Sequence, residues 1–307
     1  MRTLIVFNPT AGHAEQLEAE LEAAAQVWRQ KGWTVELQPT SGPGDGCRLA
    51  RQAATEGYDL VVAAGGDGTI NEVVNGLAGS QTALATLPLG TMNVWARELG
   101  LPLQPRAAAQ TLCTWSPRPI DLGRAGDRYF LLMEKRRLGA LAYVVRGIEE
   151  VMRIRGTRAR IWLDGRQIKA RVLMIVIGNS QLYGGLVKIT HRASIDDGLL
   201  DVCVIKGDNG INAIGHLIAI LRRRFSLNPD IAYYRAHTIE VVTRPPLPVQ
   251  VDGDPIGTTP LRFTVVPSAL QALLPPDLPD DLIQQPPPVA RRWPQRLLLW
   301  LRRRLDH

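Results

Sequence analysis

The feature that most constrains this chain is Gly65-Gly66-Asp67-Gly68-Thr69, set between the unbroken apolar run Leu60–Ala64 and a helical pattern over Asn71–Leu77. Glycine lets a backbone approach an anion closely, and the N–H groups at a helix start point at it. A plain strand-to-helix turn needs fewer than three glycines around one acid, so the pattern predicts a phosphate-binding loop. A carboxylate beside a polyphosphate is repelled unless a metal intervenes, so Asp67 implies Mg2+, directly or through water. The chain has no G-x-x-x-x-G-K-[ST], and G-x-G-x-x-G is absent at this loop. A P-loop is thereby excluded, and hydride transfer from a dinucleotide is weakened.

The surrounding pattern is a run of strand–loop–helix units. Thr3–Asn8 reads as a buried strand that leaves through Asn8-Pro9-Thr10-Ala11-Gly12. Glu15–Gln30 carries apolar residues at Leu17, Leu21, Ala24, Val27 and Trp28, one helical face. Thr34–Gln38 reads as a second strand, Cys47–Thr55 as a helix, and Ala83–Leu87 as a strand ending in Pro88-Leu89-Gly90-Thr91. Such repeats imply a parallel sheet with right-handed crossovers, and ligands bind beyond the carboxyl ends of its strands. The loops at 8–12, 65–69 and 90–91 all follow strands and belong on that edge.

The second half changes character. Helical pattern occurs at Leu138–Met152 and near Ile211–Arg223; otherwise short apolar runs are separated by Asp164-Gly165, Asp197-Gly198 and Asp252-Gly253, good turn dipeptides. This predicts a mostly antiparallel β domain with helices attached, the boundary falling near Asp121–Asp127.

On these residues the chain resembles the diacylglycerol-kinase catalytic superfamily, in its bacterial YegS/BmrU/DgkB-like branch. Gly65–Glu72, GGDGTINE, is similar to the family's signature loop; Asn8–Gly12 resembles its first nucleotide loop and Pro88–Asn93, PLGTMN, its third. Ser194–Asp201, SIDDGLLD, resembles a metal-associated segment, and Val251–Pro255, VDGDP, the segment carrying the catalytic base. GGDGT alone does not separate this family from NAD kinases; the other segments favour lipid kinases.

The resemblance implies an α/β nucleotide-binding domain of the NAD kinase and diacylglycerol kinase type over residues 1–124. A mostly antiparallel, β-sandwich-like lipid and metal domain would span 125–270, with the active site in the cleft between the two. It further implies ATP contacts from Asn8, Pro9, Thr10, Ala11, Gly12, Thr40, Gly65, Gly66, Asp67, Gly68, Thr69, Ile70, Asn71, Glu72 and Thr91. A Mg2+ would be held by backbone oxygens of Ser194 and Leu199 and the carboxylate of Asp197, although Asp196, Asp197 and Asp201 serve equally well as turn residues. Asp254 would be the general base for a lipid hydroxyl, with Asp67 the other catalytic acid. Its segment also reads as a hairpin turn, and Asp stands where the family usually has Glu. A further departure follows Met133, where the family's G-x-G-x-D-A turn and helical stretch are missing and the chain runs straight into Glu134-Lys135-Arg136-Arg137.

Charge supports the same class. Of a net +7 over 307 residues, six Arg and one Asp in 291–307 supply +5, so the body carries only +2, and nucleic-acid binding, which usually needs a basic face on the folded domain, loses most of its support. Residues 271–290 form a Pro-rich linker. In 291–307, Trp293, Leu297, Leu298, Trp300 and Leu301 alternate with Arg, which suits the interface of an anionic membrane or a helix docked on the body. Three widely spaced cysteines fit a reducing compartment better than a disulfide scaffold. The expectation is a cytoplasmic, peripherally membrane-associated lipid kinase acting with ATP and Mg2+, with no nucleic-acid partner and a homodimer left open. Two rivals remain at this point: a NAD kinase, and a non-catalytic nucleotide or lipid binder motivated by the departure after Met133.

Overall fold

A computed structural model describes residues 1–9, 14–132, 156–183, 187–208, 230–252, 254–278 and 282–283. The helical patterns at Leu138–Met152 and Ile211–Arg223, the chain after Met133 and the basic tail lie outside these described residues, as do Thr10, Ala11 and Gly12.

The first half alternates as its pattern requires: β1 (Arg2–Phe7), α1 (Ala14–Gln30), β2 (Thr34–Pro39), α2 (Asp45–Thr55), β3 (Leu60–Gly65), α3 (Asp67–Leu77) and β4 (Ala83–Pro88). The strands pair in parallel in the order β4-β3-β1-β2. Both faces are covered, which is why these strands are apolar at successive positions. Ile5, Val62 and Ala85 pack with Leu17, Leu21 and Trp28 of α1 and with Leu112 of α5 (Pro105–Leu112). Leu4, Val61 and Leu84 pack with Leu49 of α2 and with Ile70, Val73 and Leu77 of α3. The buried indole of Trp28 donates to the Ala109 carbonyl at 2.9 Å, so α1 is tied to α5 by a satisfied polar group.

α3 starts at Asp67, four residues earlier than the apolar periodicity suggests. Gly66 is extended (φ −89°, ψ −176°) and serves as the N-cap. The glycine loop therefore turns directly into the first helical turn, and its backbone donors are those of a helix N-terminus.

The rest of the chain adds α4 (Val94–Glu98), β5 (Ser116–Ala125), β6 (Arg128–Phe130), β7 (Thr157–Leu163), β8 (Arg166–Gly178), β9 (Leu182–Tyr183), β10 (Val187–Lys188) and β11 (Leu200–Lys206). β12 (Ile231–Ala236), β13 (Thr238–Arg244), β14 (Pro248–Val251), β15 (Asp254–Thr258) and β16 (Leu261–Leu274) follow. Pairings within this set are antiparallel. Asp164 and Gly165, at φ 46° and 85°, make the turn of the β7–β8 hairpin that their identities predict.

The second half is not merely appended. β16 pairs with β13 at one end and, through Gln271 and Ala272, runs parallel to β4 at the other. One sheet thus continues in the order β12-β11-β8-β7-β13-β16-β4-β3-β1-β2. Residues 271–274, grouped with the Pro-rich stretch in the sequence reading, are strand. β16 changes direction at an irregularity between Val266 and Leu270, where Ser268 has φ 52°. A bulge of this kind bends and twists its strand.

Candidate active site

The glycine loop and the loop after β4 form one unit. A Cβ on Gly90 would lie 2.4 Å from the Gly66 Cα, so the two backbones touch only because residue 90 is glycine. Leu89 N–H donates to the Gly65 carbonyl at 3.2 Å. Asn93, left-handed at φ 48°, closes the second loop by accepting from Gly90 N–H at 2.9 Å and donating to its carbonyl at 2.6 Å. Asp67 Oδ1 accepts from Val94 N–H at 2.8 Å and fastens the start of α4 to α3. On the other side, Thr40 N–H donates to the Phe7 carbonyl at 2.8 Å, and Asn8 N–H to Ala64 at 3.3 Å. Asn8, Thr40, the glycine loop and the loop carrying exposed Thr91 therefore line the carboxyl edge of β1, β2, β3 and β4, as expected for a ligand site in a parallel sheet.

Two expected contacts are placed elsewhere. Ile70 is 2% exposed and packs in the core with Val73 and Leu77, so its side chain faces away from any ligand. Glu72 gives its oxygens to Gly44 and Gly46 N–H, at 2.8 and 2.9 Å, and so holds the start of α2. The helical period explains both residues: 70, 73, 74 and 77 form the buried stripe, and 72 points across to α2.

Asn71 and Asn75, one turn apart on α3, reach the second half. With its amide oriented to the acceptors around it, Asn71 donates to Asp252 Oδ2 and to the Tyr129 carbonyl, each at 3.2 Å. Asn75 accepts from Tyr129 N–H and donates to Tyr129 O, both at 2.9 Å. Tyr129 lies on β6, whose Arg128 pairs with Asp254 Oδ2 at 3.0 Å. Asp252 turns the β14–β15 hairpin at φ 46°, and Asp254 opens β15 with 57% of its side chain exposed. The Asp252–Asp254 segment is thus a hairpin turn and is also clamped to α3. Its anchor on Asn71 lies four residues, about 6 Å of helix rise, beyond Asp67. The hairpin turn and the glycine loop share one helix and do not face unrelated surfaces.

The 194–201 segment is tied to β5 and to the bend of β16. Asp121 of β5, 2% exposed, accepts from Gly198 N–H at 2.6 Å with one oxygen and from Ser268 N–H at 2.8 Å with the other. It joins this turn to the bend of β16, and burial raises its pKa. Asp197 Oδ1 accepts from Leu199 N–H at 3.0 Å, and Asp197 Oδ2 is ion-paired with Arg235. Ser194 Oγ lies 2.9 Å from Asp196 Oδ1 and 3.2 Å from the Leu282 carbonyl. Asp201, whose side chain is fully buried, accepts from Tyr233 Oη at 2.6 Å; burial pushes its carboxyl up to about 6. A divalent ion about 4 Å from a guanidinium is repelled by on the order of 8 kcal/mol at an effective dielectric of about 20. The Ser194, Asp197 and Leu199 set therefore does not fit a divalent cation as placed, since Arg235 holds the position opposite the one charged ligand. Among the described residues, no three His, Cys, Asp or Glu side chains converge as a metal site.

Sequence pattern alone misses Asn75, Arg128, Asp121, Arg235 and Glu98. Glu98, the last residue of α4, accepts from Gln181 N–H at 2.6 Å and from Leu182 N–H at 3.3 Å. Its Oε2 is sealed from solvent although part of the residue reaches the surface. Desolvation pushes its carboxyl up to about 7. A carboxylate that helps join two domains carries no local signal; an acid at the end of an apolar helix is the nearest hint.

Comparison with known proteins matches residues 2–125 to the diacylglycerol kinase catalytic domain and residues 132–274 to the YegS C-terminal NAD kinase beta sandwich-like domain. A diacylglycerol kinase of Bacillus subtilis is 31% identical, over 92% of this chain and 99% of its own length. A protein of Pseudomonas putida named as a YegS-like lipid kinase is 33% identical, over 87% and 95%. A crystal structure of a diacylglycerol kinase from Bacillus anthracis superposes with a TM-score of 0.75 at 24% identity, over 90% and 97%, and shows the same fold. The α/β nucleotide-type domain, the antiparallel β domain and these relatives together make the chain a member of the diacylglycerol kinase and YegS-like lipid kinase family of transferases.

Proposed function

We propose that this chain transfers the γ-phosphoryl group of Mg·ATP to the hydroxyl of a membrane lipid, most simply diacylglycerol, to give phosphatidate. The observation that carries this reading is the contact of Asn71 with Asp252, which brings the hairpin of Asp254 against the helix that starts in the glycine loop. Backbone donors of the first turn of α3, with the Gly66–Gly90 contact, suit the phosphates. Asp67, whose Oδ1 accepts from Val94 N–H, is the acid of this loop and would hold the Mg2+ of the nucleotide, which would neutralise the phosphate charge. Positioning and charge neutralisation do most of the work in phosphoryl transfer. The acceptor hydroxyl gives its proton to Asp254 as its oxygen bonds to phosphorus and ADP leaves. Arg128 pairs with Asp254 Oδ2 at 3.0 Å and holds the carboxylate in place.

The Trp-, Leu- and Arg-rich residues 291–307 suit an anionic leaflet, where a peripheral enzyme meets its substrate. The test is transfer of labelled phosphate from Mg·ATP into vesicles of defined lipid. Diacylglycerol should be labelled, and Asp254→Asn should lower the rate about 10²- to 10⁴-fold. Folded protein that labels no lipid class overturns the reading, as does an Asp254→Asn variant with full rate.

A further inference from the structure

We infer that Arg235 neutralises the acidic turn of residues 194–201 in place of a metal ion, so that the second half of this chain is ordered without a divalent cation. The β11–β12 register sets Arg235 directly opposite Asp201, the distance at which cross-strand side chains interact. From there the guanidinium spans two carboxylates: it pairs with Asp197 Oδ2, and its Nε lies 3.6 Å from Asp201 Oδ1. The side chain of Asp197 is 6% exposed and that of Asp201 fully buried, against 30% for Arg235. Buried carboxylates need a positive partner. A guanidinium never loses its charge, so one side chain serves both carboxylates by charge, although its Nε and Nη2 make no hydrogen bond with them.

The remaining contacts of the turn come from the protein itself. Leu199 N–H serves Asp197 Oδ1, and the Tyr233 hydroxyl serves Asp201. Tyr233 is in turn fixed by the Arg192 N–H at 3.1 Å. Mg2+ demands near-octahedral oxygen ligation and keeps several waters, whereas here the guanidinium faces the outer oxygen of Asp197. The turn matters beyond itself, because Gly198 is held by the same Asp121 that fixes the bend of β16. The inference concerns how the turn is held and stands whichever acceptor is phosphorylated.

The test uses the full chain without nucleotide. Mn2+ binding is followed by electron paramagnetic resonance, and melting is compared in excess Mg2+ and in EDTA. Wild type should show no bound Mn2+ that Asp197→Asn removes, and the same melting temperature in both buffers. Arg235→Gln leaves two buried acids without their cation; it should melt about 5 °C lower in EDTA and recover part of the loss in Mg2+. Wild-type Mn2+ binding that disappears in Asp197→Asn overturns the inference, as does an Arg235→Gln variant that melts like wild type in EDTA. Should Arg235→Gln fail to fold, the wild-type Mn2+ titration decides alone.

Discussion

Replacing Glu98 by Gln isolates the energetic consequence of burying one acid between the two domains. The wild-type carboxyl titrates at about 7 in the folded chain, against an ordinary 4.5, because desolvation outweighs the N–H groups of Gln181 and Leu182. A folded pKa raised above the unfolded value means that the folded state holds the proton more tightly. The resulting stability is fully present below about 4.5 and is lost as pH rises through about 7. Between pH 5 and pH 8 this group should withdraw on the order of 2–3 kcal/mol of folding free energy. Glutamine keeps a carbonyl oxygen for the same N–H donors and has no proton to lose. With an unfolding entropy of about 2.1 cal/mol/K per residue, the melting temperature of Glu98→Gln relative to wild type should rise by about 4 °C from pH 5 to pH 8. Scanning calorimetry of both proteins across that range reads the difference directly. Melting curves that stay parallel at every pH would refute a buried, protonated Glu98.

Gly90→Ala forces a methyl to within 2.4 Å of the Gly66 Cα. It should cost about 1–3 kcal/mol of stability and weaken ATP binding, measured by melting and by titration with a non-hydrolysable analogue. Asn71→Ala removes the donor to Asp252 and should lower turnover more than ATP affinity, with a stability loss of about 1–3 kcal/mol seen in denaturant unfolding. Gly123→Ala would set a methyl 2.0 Å from the Phe130 ring; its β5–β6 pairing should loosen, with lower melting and lower turnover together.

The nucleotide side of the molecule was legible because its signals are local. Gly90 is dictated by its approach to the Gly66 backbone and Gly65 by the Thr69 side chain, and the apolar stripe of Ile70, Val73, Val74 and Leu77 by one helical period. The same period places Ile70 inward and Glu72 toward α2, so a motif read as eight contiguous ligand contacts overcounts what one helix can present. The second half was less legible because its determinants are far apart in sequence. Arg235 meets Asp201 only through strand pairing, and Asp121 meets Ser268 across 147 residues. β16 bends between Val266 and Leu270 and continues to Leu274, into the stretch that its prolines mark as linker in sequence. Arg128 is unremarkable in sequence until β6 is laid beside the β14–β15 turn.

The return of β16 to β4 has a consequence for synthesis. A nascent chain that has emerged only through the first half carries β4 with an open side, bare of the partner that Gln271 and Ala272 later supply. Until some 180 further residues are translated, that edge can recruit a neighbouring polypeptide. A ribosome stalled before codon 271 should therefore release fragments that aggregate, even though every residue of the glycine loop has already been made.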